Sequence, residues 1–214
     1  MSWSHDQVAR FLEATDHRWA AGFRVEVLHG LRRSDLLALK WGDVDSRGAT
    51  LRVGEGLVPV VGGVVWTDTK NARSRPVIPL DSETIKALAR RRREQATERL
   101  IAGPDREDHN LIVTTRVGRP VMPRSFDRTL EIVVAPAGLP RLSSHGLRHT
   151  AATHMVQACF DLGELRAVAD VLGHSPEMLH RVYAHALPNS VRAIAERIGQ
   201  RAEANMRTPG RLRA

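Results

Sequence analysis

The side chains with chemistry to offer gather in Ser144-His145-Gly146-Leu147-Arg148-His149-Thr150 and Leu172-Gly173-His174, with Tyr183, the sole tyrosine, beyond them. His145 and Arg148 are three residues apart, so a helix starting at Ser144 projects both from one face of its first turn. Backbone N–H groups at a helix start also attract anions. Tyr183 lies nine residues past His174, near the end of a short helix to which Met178, Leu179 and Val182 give an apolar side. The formal net charge is +8, and all but three of the 32 basic residues (Lys40, Lys70 and Lys86) are arginines. The arginine fork matches phosphate oxygens two at a time, so the charge points to a polyanionic partner. No Gly-rich loop ends in Gly-Lys-Ser/Thr, so nothing suggests ATP or GTP use, and the chemistry should be near-neutral in energy or hydrolytic.

Together with Gly30-Leu31-Arg32-Arg33-Ser34-Asp35-Leu36-Leu37-Ala38-Leu39 upstream, these residues resemble the catalytic domain of the tyrosine recombinases, the phage-integrase family. The resemblance runs from about residue 5 to 200, in the family's order. Its five signatures all stand here: Arg32 in a Gly-Leu-Arg turn, Lys70 in a β-hairpin, His145 with Arg148 as His-x-x-Arg, His174 in Leu-Gly-His, and Tyr183. One such motif is weak, and the ordered set is strong.

The resemblance implies that Tyr183 attacks a DNA phosphodiester, giving a 3′-phosphotyrosyl enzyme and a free 5′-hydroxyl. A phenol of pKa near 10 needs a proton acceptor and cationic surroundings. His145 is placed to accept the proton. Arg32 and Arg148 form the natural clamp for the charge on the non-bridging oxygens, with His174 as a further donor. The family places a hairpin lysine as general acid on the leaving 5′-oxygen, here Lys70. Asp35, one helical turn from Arg32, is expected to orient that guanidinium from behind, and His149 to support the Arg148 turn. The phosphotyrosyl bond preserves the phosphodiester energy, so rejoining calls for no cofactor, neither metal nor ATP. The partner implied is double-stranded DNA, bound as a homotetramer by a chain that is monomeric without it.

These residues need a scaffold, and the sequence describes one that is mainly α with a small antiparallel β-sheet (α+β). Val8, Phe11 and Leu12 after Ser4 predict a helix over 5–15, followed by one over 17–29 that Gly30 breaks. Ser34 is expected to cap the short Leu-rich helix. From Ala49 to Leu80 the pattern turns β-branched and Gly-punctuated, as in a small antiparallel sheet with loops at Gly54 to Gly56, Gly62-Gly63 and Asn71 to Ser74. Asp81 and Ser82 open a long helix to about 101, whose Arg90 to Arg93 run reads as a solvated face with Glu94 and Glu98 as partners. Leu111 to Thr115 reads as a short strand. Helices follow at about 124–134, 144–158, 163–172, 177–184 and 188–203, the last with an apolar stripe of Val191, Ile194, Ala195 and Ile198. That stripe packs in cis or reaches a neighbouring subunit.

No apolar run approaches the roughly 18 residues of a membrane span, and no signal-peptide core opens the chain. A cytoplasmic location is expected, with no membrane partner. The single cysteine, Cys159, permits no internal disulfide and should pack as a small hydrophobe. Residues 1–203 read as the catalytic domain and 204–214 as a basic tail. The helical core-binding domain that the family carries ahead of the catalytic one is expected to be absent from this chain, and with it weak duplex binding with a shallow salt dependence is expected.

Two departures from the family pattern stand out. Gly146 occupies a position where the family usually carries Asp, and the turn at 158–163 lengthens the Arg148 to His174 separation by about one helical turn. Other function classes stay open on the residues alone. A catalytically silent DNA-binding regulator would explain charge and helices, but not six reactive groups in register. A metal-dependent nuclease would use His145 and His149, yet it lacks a carboxylate motif for a hard metal. A type IB topoisomerase-like enzyme shares the chemistry and differs in relaxing one duplex rather than exchanging strands between two.

Overall fold

Ser4 starts helix α1 (His5–Ala14) through a capping box, its hydroxyl accepting from the Gln7 N–H while the Gln7 side chain accepts from the Ser4 N–H. The computed structural model describes residues 2–68 and 76–183, and beyond them 195, 196, 198–200 and 203. α2 (Ala20–His29) is apolar nearly all round and runs through the centre of the core. Phe23 on α2, Phe11 on α1 and Phe126 are wholly buried with Trp3 and Trp19, ring centroids 4.8–6.1 Å apart. Truncating one such ring costs about 3–5 kcal/mol.

α3 (Arg33–Ala38) starts one residue before its expected cap. Arg32 takes the extended N-cap conformation, and the Ser34 hydroxyl lies inside the helix, donating to Asp35 Oδ1. An extended Arg32 leaves its side chain off the helix axis, which is what delivers it to the site below. β1 (Val44–Asp45), β2 (Thr50–Arg52) and β5 (Val77–Pro79) form one antiparallel sheet in the order β1-β2-β5. Between β2 and β5 the chain makes a separate hairpin of β3 (Glu55–Val60) and β4 (Gly63–Asp68). The single small sheet read from the sequence is therefore two, and Gly56 lies in a strand rather than a loop. The hairpin packs on α3 through buried Leu57, and Trp66 stacks on His109 at 5.6 Å. Lys70 and the loop expected at Asn71 to Ser74 lie outside the described residues.

Asp81 caps α4 (Ser82–Ala102) by accepting from the Thr84 N–H. The arginine run on α4 is only partly a solvated face. Arg91 is buried at 2% exposure and donates to both Glu98 oxygens, whereas Arg92 lies over the Trp41 ring. Residues 111–115 form two isolated bridges rather than a strand. The reason lies in α4, because Gln95 donates to the Leu111 and Ile112 carbonyls and Arg91 reaches Ile112 too, taking acceptors that a partner strand would use.

α5 (Pro123–Val134), α6 (Ser144–Ala158), α7 (Leu162–Leu172) and α8 (Pro176–Tyr183) complete the order. A second apolar cluster joins α6, α7 and α8 through Val156, Leu165, Leu172 and Leu179, with Cys159 packed in it as expected. The helix expected over 188–203 falls largely outside the described residues; of its stripe, Ala195 and Ile198 are described, both exposed. No helix among the described residues is long and apolar enough to cross a membrane.

Candidate active site

Two helix ends and one helix start meet at the site. α2 closes on Gly30 at φ +68° and α7 on Gly173 at φ +59°, left-handed turns that glycine adopts without a Cβ penalty. Carbonyls at helix ends lack partners within the helix, and arginine side chains supply them here. Arg148 donates from Nη1 to the Gly30 carbonyl at 2.6 Å and from Nη2 to the Leu172 carbonyl at 2.5 Å. Arg32 donates from Nη2 to the carbonyls of Leu172 at 3.4 Å and Gly173 at 3.3 Å. Each cation thereby also meets the negative end of a helix dipole. Gly30 is doubly constrained, since a Cβ there would lie 2.8 Å from a Leu172 methyl carbon.

Helix α6 begins at Ser144, as expected. Ser143 is the N-cap, accepting from the Gly146 N–H, and Ser144 turns inward, where its hydroxyl donates to Glu26. His145 is then exposed at the mouth of a groove and Arg148 is at its base, 9% exposed. The groove has a volume of about 500 Å³ and is lined by Arg32, His145, Arg148 and His174, with Leu57, Val58 and Pro59 of β3 in its wall. Four of the six side chains expected to be catalytic are thus brought together from three separate segments. Tyr183 is the last residue of α8, the helix that begins two residues after His174, and its side chain lies outside the described set, as does Lys70.

The Nε2 of His174 lies 3.4 Å from Arg148 Nη2, and burial first, then the positive charges of Arg148, Arg32 and His145, hold this imidazole below its ordinary pKa. Asp35 is 8% exposed, with Oδ2 at 3.8 Å from Arg32 Nη1. Burial pushes its carboxyl up, opposed by the Ser34 hydroxyl and the charges of Arg32 and Arg148. His149 is half-buried and is not among the groove-lining residues; the Thr153 hydroxyl donates to its carbonyl.

The structure gives parts to residues for which the sequence alone suggested none. Glu26, wholly buried on α2, underlies the start of α6. Arg33 pairs with Asp127 at the groove rim. Gly146 is explained by its neighbour, since a Cβ there would stand 2.9 Å from Leu142 Cδ2 and 3.2 Å from its Cβ. Leu142 occupies the space that a side chain at position 146 would need. Among the described residues, no three His, Cys, Asp or Glu side chains converge as metal ligands would.

Comparison with known proteins places these features in context. The model of the phage integrase family matches residues 2–190. The XerC-like tyrosine recombinase of Caldanaerobacter subterraneus subsp. tengcongensis is 29% identical over 206 residues, covering 87% of this chain and 51% of that protein. XerC of Myxococcus xanthus is 30% identical over 208 residues, covering 86% and 62%. The chain spans about half the length of the curated relatives it matches. In fold it is similar to the Tn1549 transposon integrase solved in complex with transposon right end DNA, with a TM-score of 0.76 at 22% identity over 93% of this chain and 66% of that one. It is also similar to the catalytic domain of bacteriophage HP1 integrase, with a TM-score of 0.53 at 18% identity over 91% and 93%.

Proposed function

The chain belongs to the phage integrase family, and from that premise we propose that it cleaves and rejoins double-stranded DNA at specific sites through a tyrosine ester. The observation that carries the reading is the groove in which Arg32, His145, Arg148 and His174 converge. Arg32 and Arg148 are held by backbone carbonyls and both line the groove, where two guanidiniums suit the non-bridging oxygens of a phosphodiester. In the proposed step the Tyr183 phenolic oxygen bonds to phosphorus, the bond to the 5′-oxygen breaks, and the product is a 3′-phosphotyrosyl ester with a free 5′-hydroxyl. His145, at the groove mouth, takes the phenolic proton. Lys70 gives a proton to the departing oxygen, and reversal with a new 5′-hydroxyl rejoins the strand. His174 adds a donor, Asp35 holds Arg32 from behind, and His149 supports the turn that carries Arg148. A homotetramer on DNA and a monomer without it complete the reading.

The test is a duplex carrying the flanking attachment sequence with a nick beside the scissile phosphate, so that the short 5′-hydroxyl strand diffuses away and the ester accumulates. A covalent protein–DNA band is expected from the wild type and none from Tyr183→Phe, which should still bind the duplex. A band of undiminished strength from Tyr183→Phe would overturn the assignment.

A further inference from the structure

Glu26 is the one carboxylate in the otherwise apolar stretch Val25-Glu26-Val27-Leu28, and its side chain is wholly buried. Its Oε1 accepts from the Ser144 hydroxyl, while Oε2 has no hydrogen-bond partner among the described residues. Ser144 is the first residue of α6, the helix that carries His145 and Arg148. One turn further along α2, the Gly30 carbonyl accepts from Arg148. α2 is therefore tied to α6 at two points, one at each end of the segment that leads into Arg32.

We infer that Glu26 is a positioning residue, whose buried carboxyl braces Ser144 and so sets Arg148 against Arg32 for an anion in the groove. The inference rests on reading that groove as an anion site. The charged groups that face Glu26 are Asp127 on α5, Arg33 on α3 and Arg148 on α6. Burial pushes its carboxyl up to about 8; the Ser144 hydroxyl opposes this, Asp127 adds to it, and the two arginines oppose it. At pH 7 the brace is thus a neutral acid. Above about pH 8 it becomes a negative charge directly behind the groove wall that Ser144 and Arg148 form. That charge opposes an anion in the groove, and by reciprocity a bound anion keeps the proton on Glu26.

Sulfate, which keeps one charge state across the range, is the probe. Its affinity is read from the rise in melting temperature with sulfate concentration, from pH 6 to 9.5, with Arg32→Ala as the control that removes half the clamp. Wild-type affinity is expected to fall between pH 7 and 9.5 by roughly three- to tenfold, the size of one like charge brought near a partly exposed site. In Glu26→Gln, which keeps an acceptor for Ser144 and cannot ionise, that alkaline fall disappears. Ser144→Ala loses the brace and binds sulfate more weakly even at pH 7. The same alkaline profile in wild type and Glu26→Gln, or wild-type affinity in Ser144→Ala throughout, would overturn the inference. A protein that shows the expected sulfate profile yet yields no phosphotyrosyl ester on DNA would refute the recombinase reading and leave Glu26 in this role.

Discussion

The carbonyl of Gly173 accepts from Arg32 Nη2 at 3.3 Å, and a Cβ built on the same glycine would lie 3.0 Å from that nitrogen. One residue thus holds the guanidinium and leaves it the room to be held.

Gly173→Ala should therefore act on the site more than on the fold. The left-handed φ of +59° strains an alanine by roughly 1–2 kcal/mol, a modest loss of stability. The added methyl displaces Arg32, and formation of the covalent DNA ester should fall by about tenfold or more. Denaturant melts and the nicked-duplex assay on one preparation separate the two effects; a variant destabilised but fully active would contradict the expectation.

The two arginines should respond differently to lysine. Arg148 is buried and satisfies the Gly30 and Leu172 carbonyls, so Arg148→Lys leaves an acceptor unpaired and should lower stability by about 1–3 kcal/mol besides losing cleavage. Arg32 has a side chain 51% exposed, and Arg32→Lys should change stability by no more than about 0.5 kcal/mol while losing cleavage as severely. Equal shifts in melting temperature would show that Arg148 does not join α2 to α7 as described.

Lys70 is tested by its leaving group. Lys70→Ala should slow ester formation on an ordinary duplex, and a 5′-phosphorothiolate substrate, whose sulfur departs without a proton, should restore much of the rate. Equal slowing on both substrates would remove Lys70 from the general-acid role.

Acid should loosen the joint between the end of α2 and the start of α4. Burial tends to raise the Asp81 carboxyl, but the Thr84 hydroxyl and N–H and the Arg24 guanidinium outweigh it and hold the group well below the usual carboxylate range. A depressed carboxylate adds stability that is full above its unfolded value near 3.8 and is lost as pH falls through the native one. His29, 3.3 Å from Asp81, is held below 6.5 chiefly by burial, so the unfolded chain binds its proton first and stability also declines as pH drops below that value. Glu26, raised to about 8, gains stability over the same acidification, so each contribution is read as a difference between variant and wild-type melting temperatures from pH 8 to 3. His29→Gln should lessen the loss below about pH 6.5 and Asp81→Asn the loss below about 3.8; a curve parallel to wild type in either variant would contradict its assignment.

The helices were legible because their caps and apolar periods agree, as with Ser4, Asp81 and the stripe of Val8 and Phe11. The candidate site was legible as a list of side chains, since spacing put His145 and Arg148 on one helix turn. Backbone acceptors carry no such mark: Gly30 and Gly173 signal where helices end, not that their carbonyls will meet arginines from elsewhere in the chain. The expected cap at Ser34 failed because Arg32 itself takes the extended position, and the strand at 111–115 because α4 side chains claim its carbonyls. Glu26 was overlooked, although one acid among apolar neighbours is a readable sign of a buried charge with a task. The glycine at 146 became intelligible only once Leu142 was seen against it.

The bond between Arg148 and Gly30 closes a loop of 118 residues, and Ser144 reaches Glu26 across the same separation. Bringing such distant points together costs on the order of 4–5 kcal/mol in chain entropy. Only the finished core, with α4 and α5 already seated, repays that sum. A chain still being synthesised, with Arg148 yet to emerge from the ribosome, presents the Gly30 turn and Arg32 without their counterpart. The proposed competence toward a phosphodiester would therefore arrive with the last third of the domain, and cleavage of the backbone anywhere between residues 30 and 148 that lets the pieces part would separate Arg148 from Gly30 without touching an atom of either.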